Sequence, residues 1–571
     1  MTNTQKNFLF LSILLVIYTL GLGLVFFIDR DFGEIQVEIV SIPGQEQVSG
    51  IIYRPKNASE INPYPAIVLA HGISGSKQML SGIALELARN GFISLTIDLV
   101  GHGDSGGVFT GAVDKTLGTL VAVKYLEEQP YVNSALIGLV GHSLGAGAIR
   151  ALAAGHNIFG ASVYIAGGLG EMVSDPAYGV LNSTFPRNLL IIIGEEDVLF
   201  DIGQTQKQLL PVFGNPNVII PDQVYGAFSN QTARELLTPT TTHLLEPVDP
   251  AVVSEIVSWM RRTLGLENLA GATRINYVFR EISVIISLTA FVGLVFPLFS
   301  IIQDYFPSLS QNSNKEKYES IKDWKILTIW GTLSLALLLP IFSFGFLIPF
   351  PPLIFGASFS LWFLSIGIVG LLILIVLSRC TSVKIKILTE LAQTFRPRNI
   401  IIGVGIFAFL YLLAYVSEAT FLTKLRMVVL PMFNVVTNHN RILAFLECVP
   451  FFLVFFFVEG LYLHKLRSSL IYKKNIWYLI VNATKTIGIK VCPYIALLCI
   501  DYVPMFVLNI RLLPSLIGFL MEFIVGLVPL FMITVAYSWW FYHKTANLGT
   551  AVILNSLLFA WSAAATFPLS A

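Results

Sequence analysis

Long apolar stretches separated by short basic loops constrain the fold of this chain more than any other feature. The first, Phe8–Ile28, has 21 residues and is about 30 Å long as a helix, enough to cross a bilayer. Eight further stretches predict spans at 282–303, 326–346, 357–378, 399–416, 442–463, 487–509, 512–540 and 548–568, with an interfacial helix as the alternative near 476–490. With 55% hydrophobic and 12% charged residues, the composition indicates a polytopic membrane protein.

The first stretch has two interpretations. A cleaved signal peptide has a shorter apolar region that is followed by a small-residue cleavage site. Here the apolar region is long and no such pattern follows it. We therefore predict a signal-anchor transmembrane helix at 1–28, and a polytopic domain of about eight transmembrane helices at 271–571.

Residues 29–280 differ from the rest of the chain in charge. They contain 15 Lys/Arg and 24 Asp/Glu, a net charge of −9, whereas the remainder has 21 Lys/Arg and 11 Asp/Glu, a net charge of +10. Their hydrophobicity is that of a globular protein. We predict a water-soluble domain at 29–270, inserted between the first span and the others.

The loops between the later spans alternate in their content of Lys and Arg. Loops 304–325, 379–398 and 464–486 carry fourteen, whereas 347–356, 417–441 and the loop around Arg511 together carry four. Basic loops remain on the cytoplasmic side of a membrane. The prediction is a multi-pass protein of the cell membrane with a cytoplasmic amino terminus and an extracytoplasmic soluble domain.

The soluble segment alternates between apolar β-rich runs and helical patterns. The runs are Ile35–Ile42, Gly50–Tyr53, Pro65–Ala70, Phe92–Ile97, Ala135–Val140, Ala161–Ile165, Asn188–Ile193 and Ala233–Thr240. The helical patterns are at 77–90, 112–128, 144–154 and 249–264. Short apolar strands separated by helices predict an α/β fold with a mostly parallel sheet covered on both faces, beside an all-α transmembrane domain of about nine helices in total.

Residues able to do chemistry follow these strands, where α/β proteins place their sites. His71-Gly72 follows the third run, and Gly141-His142-Ser143-Leu144-Gly145, a G-x-S-x-G, follows the fifth. Asp197 follows the seventh and His243 follows the last. The loop after the fourth run, residues 98–105, has the pattern D-x-x-G-H-G-x-S.

These motifs resemble the α/β-hydrolase family, in particular its serine aminopeptidase-like and monoacylglycerol-lipase-like members. The resemblance covers about residues 35–265 and rests on the strand–G-x-S-x-G–helix element, the H-G, the 98–105 loop and the order Ser, Asp, His. It implies a Ser-His-Asp triad. Ser143 is the expected nucleophile, His243 the base that takes its proton, and Asp197 the acid that orients the imidazole, with Glu195 and Glu196 as rivals for the last role.

The resemblance also implies an oxyanion hole made of backbone N–H groups. The expected donors are those of Leu144 and of Ile73. The residues expected to form the elbow and line the site are His71, Gly72, Gly141, His142 and Gly145. Segments 169–187 and 201–231 are the only insertions large enough to cap the site, which predicts a modest cap and an open pocket.

All four cysteines lie in the apolar half of the chain, and no Cys/His spacing is typical of a metal site. We expect no cofactor or metal. The expected partners are the lipid bilayer and a small acyl or amphiphilic substrate, with no nucleic acid. Four acids, Glu447, Glu459, Asp501 and Glu522, fall inside predicted spans, where an acid indicates either a functional path or hydrogen bonding within the helix bundle.

Two functions are compatible with the sequence, and a third possibility combines them, with hydrolysis outside followed by uptake of the product. The first is a membrane-anchored serine hydrolase that cleaves an ester, a thioester or a small amide of an acyl compound outside the cytoplasm through an acyl-enzyme. The alternative is a transporter or channel-like protein whose hydrolase-like domain only binds or gates. A complete set of Ser, His and Asp favours the enzyme, because a binding domain does not require all three.

Overall fold

The computed structural model of the chain describes residues 1–110, 115–156, 158–169, 178–268, 271, 275–306, 321–345, 347–348, 350–380, 385–426, 433–467, 476–508, 510, 512–513 and 515–570. Much of the three basic loops, at 307–320, 381–384 and 468–475, lies outside the described residues, as does 170–177 of the first expected cap segment. The chain begins with helix α1, Asn3–Asp29, and then enters the soluble domain.

Eight strands form one sheet. They are β1 Ile35–Ile42, β2 Val48–Pro55, β3 Tyr64–Ala70, β4 Ile93–Ile97, β5 Val132–His142, β6 Ala161–Ile165, β7 Leu189–Ile192 and β8 Arg234–Leu237. The order is β1-β2-β4-β3-β5-β6-β7-β8. β1 and β2 pair antiparallel with each other and β2 with β4, whereas all pairs from β4 to β8 are parallel. The prediction of a mostly parallel sheet is confirmed.

Helices cover both faces of the sheet because side chains alternate along each strand. On β3, Ile67 and Leu69 pack on the face that holds α2, Ser81–Arg89, and α6, Pro250–Thr263. The other residues of β3 face the layer that contains α3 Thr119–Glu127, α4 Leu144–Gly155 and α5 Ile202–Leu209. The strands therefore end in loops between the two helical layers, at one edge of the sheet.

Among the described residues, nine helical stretches are long and apolar enough to cross a membrane. α1 forms the first stretch, α7 and α8 (Tyr277–Gly293 and Val295–Tyr305) together form the second, and α9 and α10 (Asp323–Ala336 and Leu338–Gly345) together form the third. The other six are single helices: α11 (Gly356–Cys380), α13 (Pro397–Phe421), α14 (His439–Gly460, continued by a π turn to Lys465), α15 (Ile476–Leu508), α16 (Ser515–Thr545) and α17 (Gly549–Thr566). The short helix α12 (Ile387–Thr394) lies between α11 and α13. The predicted number of apolar helices is confirmed.

Two of these helices begin well before the predicted spans. α7 begins at Tyr277 rather than 282, and its Arg280 bonds Asp29 of α1 at 2.6 Å. α15 begins at Ile476, so the segment 476–490 is the first part of one long helix that ends at Leu508. Its Lys490 lies 2.6 Å from Glu459 of α14. Ion pairs with other helices let these helices continue through charged positions that lower the local hydropathy.

One end of the helical region contacts the soluble domain. Leu569, after α17, donates its N–H to the Gly101 carbonyl at 2.9 Å and accepts from the Phe109 N–H at 2.7 Å. Lys424, after α13, lies 2.7 Å from Asp104. These contacts belong to the loops that are poor in Lys and Arg and to the carboxyl terminus.

The opposite ends of the helices contact one another instead. Lys465, at the end of α14, lies 3.0 Å from Glu390 of α12, and Arg467 lies 3.1 Å from Asp323 of α9. These residues belong to the basic loops or border them. The described loops therefore divide into two groups, and the soluble domain lies with the less basic group.

Candidate active site

The turn at Ser143 joins β5 to α4. Ser143 has φ 51° and ψ −114°, a conformation that is costly for a residue with a Cβ, and its N–H donates to the Ile165 carbonyl at 2.8 Å. A Cβ on Gly141 would lie 2.5 Å from the carbonyl carbon of Gly145, and one on Gly145 would lie 2.1 Å from the Ala70 oxygen. Close backbone contacts therefore require both glycines of the motif.

Ser143, His243 and Asp197 lie in one hydrogen-bonded line. His243 Nε2 is 3.2 Å from Ser143 Oγ, and His243 Nδ1 is 2.9 Å from Asp197 Oδ2. With the proton on Nδ1, this nitrogen donates to the carboxylate and Nε2 accepts from the serine hydroxyl. The other carboxylate oxygen accepts from the N–H groups of Leu199 and Phe200. The structure thus brings together the three residues named from the sequence.

The two rivals of Asp197 lie elsewhere. Glu195 is exposed and accepts a hydrogen bond from the Thr240 hydroxyl at 2.8 Å. Glu196 is partly exposed, whereas Asp197 is fully buried. Of the three acids, Asp197 is the one that contacts the imidazole.

Burial and charge act on His243 in opposite directions. Burial by itself lowers the pKa of an imidazole. The negative charge of Asp197 and its hydrogen bond outweigh burial, so the pKa of His243 is raised above its ordinary value. The ring of Phe200 stacks against the imidazole, with 6.4 Å between the two ring centroids. His243 is therefore both held in place and made a stronger base.

Two buried groups lie behind this line. His142 Nε2 donates to the His243 carbonyl at 3.1 Å, and Glu246 Oε1 accepts from the Gly194 N–H at 2.6 Å. Burial, with a smaller effect from the charge of His243, lowers the pKa of His142 well below its ordinary value. Burial and the charge of Asp197 raise the pKa of Glu246 well above its ordinary value. The uncharged form is therefore favoured for both groups.

His142, His243 and Glu246 each place one potential metal-ligand atom within 4.8 Å of the others. Both ring nitrogens of His243 are already engaged, by Ser143 and by Asp197. A metal ion held by these residues would have to displace one of these contacts. The donor set therefore fits the hydrogen-bonded line better than it fits a metal.

The loop after β3 lies directly against the turn. Leu99 N–H donates to His71 Nε2 at 3.1 Å, and His71 Nδ1 donates to the Gly72 carbonyl at 2.6 Å. Burial lowers the pKa of His71, which favours the neutral ring that both contacts require. A Cβ on Gly72 would lie 3.1 Å from the Ser143 Cβ. Gly72 is therefore the residue that lets this loop approach the serine.

The two residues expected to supply the oxyanion hole are both close to Ser143. Ile73 lines the same cleft as Ser143. Leu144 is the first residue of α4, so its N–H has no acceptor within the helix. Their positions are compatible with two N–H donors on one side of the serine.

The D-x-x-G-H-G-x-S loop holds a buried charge cluster. Asp98 accepts from the backbone N–H and the ammonium of Lys77, at 2.6 and 2.8 Å. Asp104 lies 2.6 Å from Lys77 Nζ and 2.7 Å from Lys424 Nζ. Burial alone would raise the pKa of Asp104, but the two lysines outweigh it and hold this pKa far below its ordinary value. The cluster joins the loop to the helical region.

Residues of α16, one of the long apolar helices, line the cleft at Ser143. The residues that line the cleft are Gly72, Ile73, Met79, His142, Ser143, His243, Leu244, Phe519, Glu522 and Phe523. The last three belong to α16. A Cβ on Gly518 of the same helix would lie 3.0 Å from the Val198 carbonyl oxygen, so α16 packs directly beside Asp197.

The expectation of a cap formed by segments 169–187 and 201–231 is therefore wrong for the described residues. None of the described residues of these segments lines the cleft. α5, in the second segment, packs against the sheet instead. The helical region covers Ser143, so the pocket is more enclosed than the open pocket that the sequence predicts.

Sequence reasoning missed four residues that shape the site. Gly167 is one of them, because a Cβ there would lie 2.2 Å from the Ser143 carbonyl oxygen. Glu246 follows His243 by three positions, a spacing that could have indicated it. Lys77 and Lys424 carried no local signal, since their partners lie far away in the sequence. Glu522 was singled out only as an acid inside a span.

Residues 67–273 match the model of the alpha/beta hydrolase family. No curated protein sequence matches the chain. Among solved structures, a hypothetical protein from Pseudomonas aeruginosa is 16% identical, with 41% of this chain and 95% of that chain covered and a TM-score of 0.31. An esterase from Pyrococcus furiosus is 21% identical, with 41% of this chain and 96% of that chain covered and a TM-score of 0.32. A putative dipeptidyl aminopeptidase IV from Bacteroides ovatus is 19% identical, with 41% of this chain and 37% of that chain covered and a TM-score of 0.33.

Proposed function

We propose that this chain, in which residues 67–273 form an α/β-hydrolase domain beside a region of apolar helices, is a membrane-anchored serine hydrolase. Its substrate is an ester, a thioester or a small amide. The proposal is carried by the continuous contacts from Asp197 through His243 to Ser143 in one cleft. A buried carboxylate, an oriented imidazole and a hydroxyl in this order are the requirements for nucleophilic catalysis by serine.

The reaction proceeds in two halves. Ser143 Oγ attacks the acyl carbonyl while its proton passes to His243 Nε2, 3.2 Å away. The tetrahedral intermediate collapses, the leaving group takes the proton from His243, and an acyl-serine remains. Water then gives a proton to His243 and attacks the acyl-serine, which releases the acid and restores the hydroxyl. Asp197 stabilises the imidazolium in both halves.

The oxyanion of each tetrahedral intermediate is stabilised by the backbone N–H groups of Ile73 and Leu144. Gly72 supports this assignment, because the absence of a Cβ there lets the loop lie beside Ser143. Loss of one such donor typically costs about 3 kcal/mol of transition-state stabilisation. A backbone donor cannot be removed by side-chain replacement, so Gly72 is the practical position at which to perturb it.

The hydrolase domain lies outside the cytoplasm. The loops that adjoin it are poor in Lys and Arg, whereas the basic loops lie at the other end of the helices. Ile61 is 98% exposed on the domain, and Lys6 lies near the start of α1. In intact cells, a membrane-impermeant maleimide is expected to label Ile61→Cys above the parent chain but not Lys6→Cys. The reverse pattern would place the domain inside.

The alternative, a transporter or channel-like protein with a binding or gating domain, makes a different prediction for the serine. Such a protein does not need a hydroxyl in contact with an imidazole base. In contrast, the structure devotes a costly backbone conformation to Ser143. Strain of this kind is retained where it serves function, which favours the enzyme.

A fluorophosphonate probe tests the proposal on the purified full-length protein. It reacts with a serine hydroxyl only when a base activates it. We expect labelling of the wild type, none of Ser143→Ala, and at least about 10³-fold slower labelling of His243→Ala, since the base is needed for attack. Short p-nitrophenyl esters should follow the same order. An unlabelled but folded wild type would refute the proposal.

A further inference from the structure

Helix α16 brings a carboxylate into the cleft. Phe519, Glu522 and Phe523 are spaced so that they share one face of the helix, and all three line the cleft with Ser143 and His243. Glu522 is 4% exposed. This acid is therefore turned toward the proposed nucleophile and away from lipid.

One oxygen of Glu522 is satisfied and the other is not. The Tyr502 hydroxyl donates to Oε1 at 3.1 Å. Oε2 is buried and has no hydrogen-bond partner among the described residues. A buried carboxylate oxygen without a donor is costly, so a bound water, an ion or a group of a ligand is expected to complete it.

The surroundings of Glu522 favour a cation as the missing partner. The ionisable groups that act on it electrostatically are His243, Asp197 and Asp501, and His243 is uncharged in the form that accepts the serine proton. No lysine or arginine is among the residues that line the cleft. The potential in the cleft therefore attracts positive groups and repels negative ones.

We propose that Glu522 binds a protonated amine of the substrate, so that Ser143 acts on esters or amides of an α-amino acid with a free amino group. The inference rests on the proposed function and specifies its substrate class. Glu522 and Ser143 line the same narrow cleft, so the amine and the carbonyl that they bind must be close together. The α-amino acyl group meets this requirement, and Phe519, Phe523 and Leu244 provide apolar contacts for its side chain.

The test compares Glu522→Gln with the wild type on matched substrates at pH 7. Glutamine keeps the shape and an oxygen that can accept from Tyr502, but it removes the charge. The substrates are the p-nitrophenyl esters of leucine and of N-acetylleucine, with leucine p-nitroanilide to separate ester from amide chemistry. Glu447→Gln is the control, because it is the same replacement on α14 and Glu447 does not line the cleft.

We expect the wild type to prefer the free-amine ester in kcat/KM by at least about 10-fold, because an unfilled ionic site rejects the uncharged analogue. Glu522→Gln should abolish this preference by slowing the free-amine ester, while the N-acetyl ester stays within about threefold. Glu447→Gln should leave both rates unchanged. An equal loss for both esters in Glu522→Gln, or no preference in the wild type, would overturn the inference.

Fluorophosphonate labelling of the same preparations distinguishes a failure of the proposed function from a failure of the role proposed for Glu522. If the wild type is folded but unlabelled, the proposed function itself fails. If Ser143 is labelled but the amine preference is absent, only the role of Glu522 fails. Should Glu522→Gln not fold, the comparison of the two esters on the wild type decides alone.

Discussion

Replacement of Gly145 by alanine is the most direct perturbation of the turn that carries Ser143. The added Cβ would lie 2.1 Å from the Ala70 oxygen and 2.7 Å from the His71 oxygen. Ordinary contact begins at about 3.5 Å, so the overlap exceeds 1 Å. Both atoms belong to the backbone at the end of a central strand, and neither can move without disturbing the sheet. Helix α4 must therefore shift away from β3.

The expected loss of stability follows from two opposing effects. Overpacking of a close contact costs about 3 kcal/mol when backbone must move, and alanine returns about 1 kcal/mol through its helix propensity. The net loss of about 2 kcal/mol corresponds to a Tm about 4–8 °C lower for a domain of this size. Because Leu144 moves with the helix, fluorophosphonate labelling of Ser143 should also slow by at least about tenfold.

The control lies in the same helix. Gly155 ends α4, and a Cβ there meets nothing within 4 Å. Gly155→Ala should therefore melt at or slightly above the wild-type temperature and should be labelled at the wild-type rate. Thermal unfolding of the purified proteins by tryptophan fluorescence, together with the labelling rate, measures both effects. If Gly145→Ala melts and is labelled like Gly155→Ala, the steric account of the motif is wrong.

Three further outcomes are expected. Because only a neutral imidazole accepts the serine proton, kcat/KM for a neutral ester should fall as the pH falls through the raised pKa of His243. The midpoint of this fall should lie above the ordinary histidine pKa of about 6.5. A midpoint at or below that value contradicts the assignment of His243 as the base. Lys424→Met removes one of the two cations at Asp104 and should lower the Tm. Adding Asp104→Asn should recover part of the loss. If the two losses instead add, Lys424 and Asp104 are not energetically coupled. Lys490→Met should lower the stability of the protein by about 3–5 kcal/mol, because Glu459 is left buried and unpaired. Size-exclusion chromatography should then show less monodisperse protein, and adding Glu459→Gln should restore the monodisperse peak.

Local hydrophobicity was sufficient to find most strands but not their full lengths. The run Ala161–Ile165 coincides with β6, which is buried on both faces. In contrast, β2 extends beyond Gly50–Tyr53 to Val48–Pro55, because its antiparallel pairing with β1 continues through polar residues. Helix α5 was missed, since its sequence is mostly polar and it is held by the burial of Leu209 in the core beside the sheet. Pairing and packing are long-range, and a local pattern does not report them.

The candidate site shows the same division. Ser143, Asp197 and His243 could be named because each follows a strand, and strand ends of a parallel sheet meet at one edge. Glu522 and Lys424 reach this edge only because α16 and the segment after α13 lie against it. Their positions depend on how two regions of the chain pack together, and a hydropathy profile contains no information on that packing. Sequence reasoning therefore found the reacting groups and missed those that enclose them.

Under the proposed function, the presence of α16 in the cleft predicts that the surrounding lipid affects the rate of turnover. The tilt of a membrane-spanning helix adjusts to the thickness of the hydrocarbon layer, and Phe519 and Phe523 move with that tilt. We expect turnover in reconstituted vesicles to vary with acyl-chain length even for a water-soluble ester that never enters the lipid. Such a dependence would couple the proposed activity to the thickness of the bilayer through α16, which forms one wall of the pocket.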